Sequence, residues 1–299
     1  MLDIKIVLYV FLGFLANVIL ILLASLRYKY ILGCAKEKIS LLQSAYLFCI
    51  AQVVVYFDPS RIGSSAVKSL ASKKLYKTSV RGPFLVTIFE QAFDYLWQIP
   101  FLFIVLFIMG KNFLPGIPYL QIIILFFIMT LIMLIILKFN KFFNFIFKKV
   151  VPKKILNLSF FKKEDFSDVR KELLDYFKKP KFLIFVSLLT LLVVLFAPFL
   201  ITISLLPFGV VLSYQQAFFI YWIAFIVGRV SGIPGGFGSR DITMAGLLTY
   251  YGIAPGIVIK VIIIYRIITM VPNLVIGGSL LFYYGGKYGI KIFSGKAGR

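Results

Sequence analysis

The sequence predicts an all-α integral membrane protein built as an inverted repeat. About five full transmembrane helices and two re-entrant helical hairpins are expected, seven or eight hydrophobic segments in all, with the N-terminus outside and the C-terminus inside. Three observations carry this expectation: long apolar runs, an uneven spread of basic residues, and two similar segments broken by proline and glycine. The 299 residues are 61% hydrophobic and 15% charged, whereas a soluble domain is nearer half apolar and a quarter charged.

The apolar residues fall in runs at 6–26, 84–109, 119–137, 182–206 and 257–284. Each is roughly 19–28 residues long, and about 20 residues of helix span a ~30 Å hydrocarbon core. The runs are continuous and do not alternate at period two, which excludes an outer-membrane-type barrel. The first run is too long for a signal-peptide core and reads as a retained span.

The formal charge of +22 fits a membrane protein whose cytoplasmic loops collect Lys and Arg. No basic soluble domain is present to hold nucleic acid, so that partner is not expected. Arg27, Lys29, Lys36 and Lys38 follow the first run, and Lys68, Lys73, Lys74, Lys77 and Arg81 precede the second. Residues 138–181 are the most basic stretch, and the tail carries Lys287, Lys291, Lys296 and Arg299. Residues 112–119 and 207–217 carry no charge. If residues 40–57 crossed the membrane, the basic stretches on their two sides would face opposite compartments. A hairpin removes the conflict: 40–57 enters, 58–63 breaks, and 64–73 returns to the same face. Broken backbone at membrane depth is tolerated where it is buried in protein or lines a cavity. Residues 214–230, 231–238 and 239–251 make the second hairpin from the opposite face.

The two breaks align with each other. Pro59-Ser-Arg-Ile-Gly-Ser-Ser65 matches Pro234-Gly-Gly-Phe-Gly-Ser-Arg240, and Asp94 with Pro100 matches Arg266 with Pro272, six residues apart in both copies. The expected organisation is a first membrane repeat with a linking span (1–137), a basic cytoplasmic loop (138–181), and a second repeat with a short basic tail (182–299). Within the loop, Phe166, Val169, Leu173, Tyr176 and Phe177 recur at helical spacing. An amphipathic helix at 164–179 is expected there, its lysines against anionic inner-leaflet lipid.

Charge at depth is the sharpest functional signal. Glu90 and Asp94 lie one helical turn apart in the second apolar run, Arg266 lies in the last, and Arg61, Arg229, Arg240 and Asp241 flank the breaks. Each mid-membrane charge costs about 2.5–3.5 kcal/mol on insertion scales, so these groups must pair or face a polar cavity. Glu90, Asp94, Asp241 and Arg266 are expected to balance charge, the first two against Arg266 and a hairpin arginine. Gly63-Ser64 and Gly238-Ser239 each stand where a short helix begins, and free N–H groups at a helix start attract phosphate. Arg61, Gly63, Ser64, Arg229, Gly235, Gly236, Gly238, Ser239 and Arg240 are therefore the expected phosphate-headgroup residues; the alternative is that Ser64, Ser239 and Asp241 simply cap their helices. The glycine-rich stretch 232–238 lacks the Gly-Lys-Ser/Thr of a nucleotide-binding loop and has no βαβ context. No cofactor or metal is expected: the chain has no histidine, and Cys34 and Cys49 lack ligand spacing.

Gly232-Ile-Pro-Gly-Gly-Phe-Gly-Ser-Arg-Asp241, followed by Ala245-Gly-Leu-Leu248 and Tyr251-Gly-Ile253, resembles the signature of the flippase-like membrane region of lysylphosphatidylglycerol synthases (multiple peptide resistance factor) and its stand-alone relatives. Pro59-Ser-Arg-Ile-Gly-Ser64 is similar to the family's weaker first motif, and Glu90-Gln91 with Asp94 to its later acidic element. Ser64, Gln91 and Asp241 stand where the family more often has Glu, Arg and Glu. The resemblance runs from about residue 5 to 285 and implies movement of a lipid between leaflets of a prokaryotic plasma membrane. Few residues follow the last apolar run, so no cytosolic aminoacyl-transferase domain and no lysyl transfer are expected. The expected substrate is a phospholipid or a polyprenyl-phosphate-linked glycan. The alternatives are a membrane-embedded lipid-modifying enzyme using Glu90 and Asp94, or an accessory subunit for a soluble glycosyl- or aminoacyl-transferase.

Overall fold

A computed structural model describes residues 4–58, 62–109, 175 and 179–288. Among these residues every regular element is helical: α1 (Ile4–Cys34), α2 (Leu41–Val55), α3 (Ile62–Tyr76), α4 (Arg81–Met109), α5 (Pro180–Phe196), α6 (Phe199–Leu205), α7 (Tyr214–Val230), α8 (Ser239–Tyr250), α9 (Pro255–Asn273) and α10 (Ser279–Tyr288). The predicted span at 119–137, nearly all of the predicted loop at 138–181, the C-terminal residues from 289 on and Arg61 lie outside the described residues.

Helix boundaries follow local chemistry. Ser40 caps α2 by accepting from the Gln43 amide at 3.1 Å, while the Gln43 side chain accepts from the Ser40 amide at 2.8 Å. Ser213 and Gln216 repeat the same reciprocal cap at the start of α7. Such a box satisfies two of the orphan donors of a helix start. Pro180 and Pro255 occupy the first helical positions of α5 and α9, where a missing N–H does no harm. Pro100 lies inside α4 and Pro272 inside α9. After Pro272 the chain widens into a π turn at Leu274–Gly278 before α10.

Among the described residues, three stretches are long and apolar enough to cross a membrane: Ile4–Cys34, Pro180–Phe208 and Pro255–Tyr283. They contain the predicted runs 6–26, 182–206 and most of 257–284. The run 84–109 falls in α4, a 29-residue helix that also carries Glu90 and Asp94. In contrast, α2, α3, α7 and α8 have 15, 15, 17 and 12 residues, or about 18–26 Å at 1.5 Å per residue. Each is shorter than the hydrocarbon core.

The outer faces of the long helices are apolar. Phe11, Leu15, Ile19 and Leu22 of α1, Ile184, Leu188 and Leu192 of α5, and Ile259, Ile263 and Ile267 of α9 are exposed at helical spacing. In water such stripes would be a liability; against acyl chains they are the expected surface. Inside, one core gathers Leu200, Ile201, Phe218, Trp222, Tyr265 and Ile268. A second gathers Tyr28, Ile31, Leu85, Phe89, Phe93 and Val186.

The packing has a regular plan. Helix α2 packs on α3 and α3 on α4, just as α7 packs on α8 and α8 on α9. Helix α4 packs on α7, and the π turn after α9 packs on α2. Helix α1 packs on α9, and α5 on α4. At the crossing of α2 with the π turn, a Cβ on Gly277 would collide with the backbone carbonyl of Cys49. Only glycine permits that approach.

Candidate functional site

A cavity of about 210 Å³ opens between α1, α2, α3, α4, α7, α8 and α9. Its lining includes five cationic side chains (Arg27, Lys68, Arg229, Arg240 and Arg266) and two carboxylates (Glu90 and Asp94). Two charged clusters account for most of them.

The first cluster joins α1, α3 and α4. Arg27 pairs with Asp94 at 2.6 Å and with Glu90 at 3.4 Å, and its Nη1 also donates to Thr190 Oγ1 at 3.1 Å. The Thr190 hydroxyl is itself spent on the Val186 carbonyl, which leaves its oxygen to accept. Lys68 pairs with the other Glu90 oxygen at 3.2 Å and lies 3.3 Å from the centroid of the Tyr28 ring. Arg27, Lys68 and Glu90 are 4%, 3% and 7% exposed. Two cations and two carboxylates thus cancel within the protein, the condition under which buried charge persists.

Sequence reasoning had placed Arg27 and Lys68 among the basic residues that mark cytoplasmic loops, and had set Arg266 against Glu90 and Asp94. The structure corrects both. In the structure α1 continues for 31 residues, past the end of the apolar run, so Arg27 lies within a helix rather than in a loop. Lys68 lies one turn from Ser64, Ser65 and Ser72, a face of small polar residues on which a lysine can be enclosed.

The second cluster surrounds the break between α7 and α8. Arg266 of α9 holds Asp241 with two hydrogen bonds of 2.8 and 2.9 Å. The same guanidinium reaches the carbonyls of Gly235 and Gly236 at 3.5 and 3.4 Å and lies over the Phe237 ring at 4.7 Å. Asp241 also accepts from the Gly238 amide at 3.1 Å, closing the first turn of α8. Asp241 therefore both caps its helix and balances charge. Gly235, Gly236 and Gly238 all have positive φ, and Gly236 is doubly constrained, because a Cβ there would lie 3.2 Å from the Gly228 Cα. Ser239 bonds Ser231 at 2.8 Å. It staples the two arms of the break together.

Arg240 differs from the other cations. Its guanidinium donates to the Tyr265 hydroxyl and lies 5.1 Å from the rings of Phe225 and Tyr265 and 5.3 Å from that of Tyr221. Its Nε is buried without a hydrogen-bond partner. Among the described residues no carboxylate forms an ion pair with it. Arg229, in the last turn of α7, stacks on Phe225 at 4.2 Å. Arg229 and Arg240 also line a smaller adjoining recess with Asp58 and Gly236.

Of the sequence-predicted residues, Ser64, Glu90, Asp94, Arg229, Gly235, Arg240 and Arg266 line the cavity. Gly63, Gly236, Gly238, Ser239 and Asp241 build the turns behind it instead. A Cβ on Gly63 would lie 2.6 Å from the Asp58 carboxylate, so that carboxylate covers the first turn of α3. Arg27, Lys68, Gln98, Tyr221, Tyr265 and Asn273 line the cavity without having been anticipated.

With this geometry in hand, comparison with known proteins is informative. A family model for the lysylphosphatidylglycerol synthase TM region matches residues 4–277. The chain belongs to this family. Both helix breaks and both charged clusters fall inside the matched residues. A relative described as a UPF0104 membrane protein, from Methanothermobacter thermautotrophicus, is 30% identical over 82 residues. That match covers 27% of this chain and 25% of the relative, so the chain aligns to about a quarter of the relative's length. No solved structure matches. The chain is a multi-pass helical membrane protein of the lysylphosphatidylglycerol synthase TM region family.

Proposed function

We propose that this protein carries a phosphate-headed lipid between leaflets of a prokaryotic plasma membrane without altering it chemically. The observation that carries the proposal is the positive excess of the cavity lining, centred on Arg240 at the second helix break. Of the cations in the lining, Arg27 and Lys68 are balanced by Glu90 and Asp94 and Arg266 by Asp241, while Arg240 forms no ion pair with a carboxylate among the described residues. Arg240 presents a buried donor, Nε, without a protein acceptor, and an arginine in a water-poor site is suited to phosphate oxygens. The volume of about 210 Å³ lies below the range typical of drug-sized ligands. It suits a headgroup whose acyl chains remain in the bilayer.

The route across is provided by an inverted repeat. In this reading α1 to α4 correspond to α5–α6, α7, α8 and α9. The exchange of packing partners supports it: α4 against α7 mirrors the end of α9 against α2, and α1 against α9 mirrors α5 against α4. The matching Ser-x-x-Gln caps of α2 and α7 and the matching prolines of α4 and α9 support it as well. The short pairs α2–α3 and α7–α8 then act as hairpins entering from opposite faces, with the N-terminus outside and the C-terminus inside. Broken helices meeting near the midplane are where transporters of this architecture hold their substrates.

Reconstitution in liposomes with fluorescent phosphate-headed lipids tests the proposal. Wild-type protein should accelerate transfer between leaflets, and Arg240→Ala should slow it about tenfold or more, the loss of roughly one charge-assisted hydrogen bond. Asp94→Asn, with folding checked by melting, should also slow transfer. Equal rates for all three proteins would overturn the mechanism.

A further inference from the structure

Two prolines interrupt helices beside the cavity, and each strands a buried carbonyl. A proline in a helix has no N–H to offer the carbonyl four residues back. Pro272 of α9 therefore deprives Ile268, and Pro198, in the turn that divides α5 from α6, deprives Val194. Both deprived residues are fully buried. Inside a membrane such a carbonyl has no bulk water to turn to, and a neighbouring helix must supply the donor. Here two neighbours do. Asn17 of α1 donates from Nδ2 to the Ile268 carbonyl at 3.0 Å, and Trp222 of α7 donates from Nε1 to the Val194 carbonyl at 3.2 Å. Tyr214, two turns before Trp222, donates its hydroxyl to the next carbonyl, Leu195, at 2.6 Å. A Cβ on Gly13, one turn before Asn17, would collide with the Ile268 side chain. Glycine there lets α1 lie close enough for Asn17 to reach the backbone of α9.

Asn17 and Trp222 also line the cavity. Each donor thus stands between an interrupted helix and the space that a headgroup would enter. Water or an anionic oxygen in that space competes for the donor, and water can then serve the carbonyl that the donor leaves. A proline bend is a weak point in the helical ladder, about which the segment beyond it can swing. A swing at Pro272 away from α1 breaks the Asn17 bond, and a swing at Pro198 away from α7 breaks the Trp222 bond. The chain just after Pro272 is the π turn at Leu274–Gly278, a widened ladder of the kind frequent at functional sites. We propose that Asn17 and Trp222 are latches: positioning residues that hold two proline hinges closed by taking the stranded carbonyls, and that let the hinges open when the cavity fills. The latch is a property of the fold, and its part in lipid passage rests on the transporter reading.

Hydrogen exchange on the full chain in detergent tests the latch. Asn17→Leu keeps the size of the side chain and removes the donor. Amides at 273–278 should then exchange about tenfold faster, the scale of one buried carbonyl left unpaired. Pro272→Ala returns an N–H to the Ile268 carbonyl, so in that background Asn17→Leu should change exchange little. Acceleration of the same size in both backgrounds overturns the latch, because Asn17 would then act through packing alone, and so does no acceleration in either. Trp222→Phe, with and without Pro198→Ala, makes the same comparison at 199–205 should Asn17→Leu fail to fold. Transfer of a fluorescent phosphate-headed lipid in proteoliposomes tests the hinge. Pro272→Ala should slow transfer about tenfold while melting no lower than wild type. Transfer at the wild-type rate by Pro272→Ala overturns the hinge's part in passage. No transfer by the wild type overturns the transporter reading, and the latch then stands or falls on exchange alone.

Discussion

Arg27 and Asp94 meet at 2.6 Å across 67 residues of sequence. Their contact ties the first long helix to the fourth and, through Glu90, to Lys68 of α3. Removing one member leaves an uncompensated buried charge, which costs about 3–5 kcal/mol, whereas replacing a buried ionic group by apolar residues of similar volume is often neutral. Arg27→Ala should therefore lower the melting temperature in detergent sharply. Arg27→Met combined with Asp94→Leu, which leaves Lys68 paired with Glu90, should recover much of the loss. A double variant less stable than Arg27→Ala alone would show that Arg27 and Asp94 do not balance each other.

Arg266 is a clasp whose shape matters as much as its charge. Two hydrogen bonds to Asp241, two to backbone carbonyls and a stack on Phe237 all depend on a planar guanidinium. Lysine supplies the charge and not the fork. Arg266→Lys should loosen the turn at residues 234–238, seen as faster hydrogen exchange at Gly238 and Ser239 and as slower lipid transfer. Unchanged exchange would mean that the charge alone suffices.

Neighbouring glycines should behave oppositely. Gly277→Ala places a methyl group against the Cys49 carbonyl, while Gly278 has open space around it. Overpacking of this kind costs about 1–3 kcal/mol, and alanine in an unobstructed helix gains up to about 1 kcal/mol over glycine. Thermal melting of the two variants should separate them, with Gly277→Ala lower and Gly278→Ala equal to or above wild type.

Cysteine labelling checks the hairpin reading. Lys73 and Lys74 are exposed at the end of α3, and the native Cys34 and Cys49 are free and buried, so the background should be low. Lys73→Cys should react with an impermeant thiol reagent from the cytoplasmic side. Reaction from the outside alone would make α2 and α3 a crossing and not a return.

Much of the helical plan was legible because it is written in composition and punctuation. Long apolar runs give α1, α4, α5 and α9, and the proline and glycine cluster at 232–238 gives the turn between α7 and α8. The charge pairing was less legible. Which carboxylate meets which cation depends on how four helices are rotated about their axes, and the apolar sequence constrains that rotation weakly, because apolar side chains suit either lipid or core. Arg27 illustrates the point: beside Lys29 it resembles a loop charge, and only the packing of Asp94 and Thr190 onto α1 shows it enclosed. Asn273 and Gln98 carried no signal, since a lone amide in an apolar run is as compatible with a helix contact as with a cavity wall.

The burial of Arg27 also constrains how the chain can be made. As α1 leaves the ribosome, neither Glu90 nor Asp94 has been synthesised, and an arginine inside the membrane without its carboxylates is costly. The C-terminal third of α1 must therefore wait at the membrane surface, its charge in contact with headgroups, until α4 arrives to receive it. Truncating the nascent chain before residue 81 should leave Arg27 accessible to water, and extending it past residue 109 should hide it. Biogenesis of this protein then follows a fixed sequence, in which the first helix to emerge is among the last to settle.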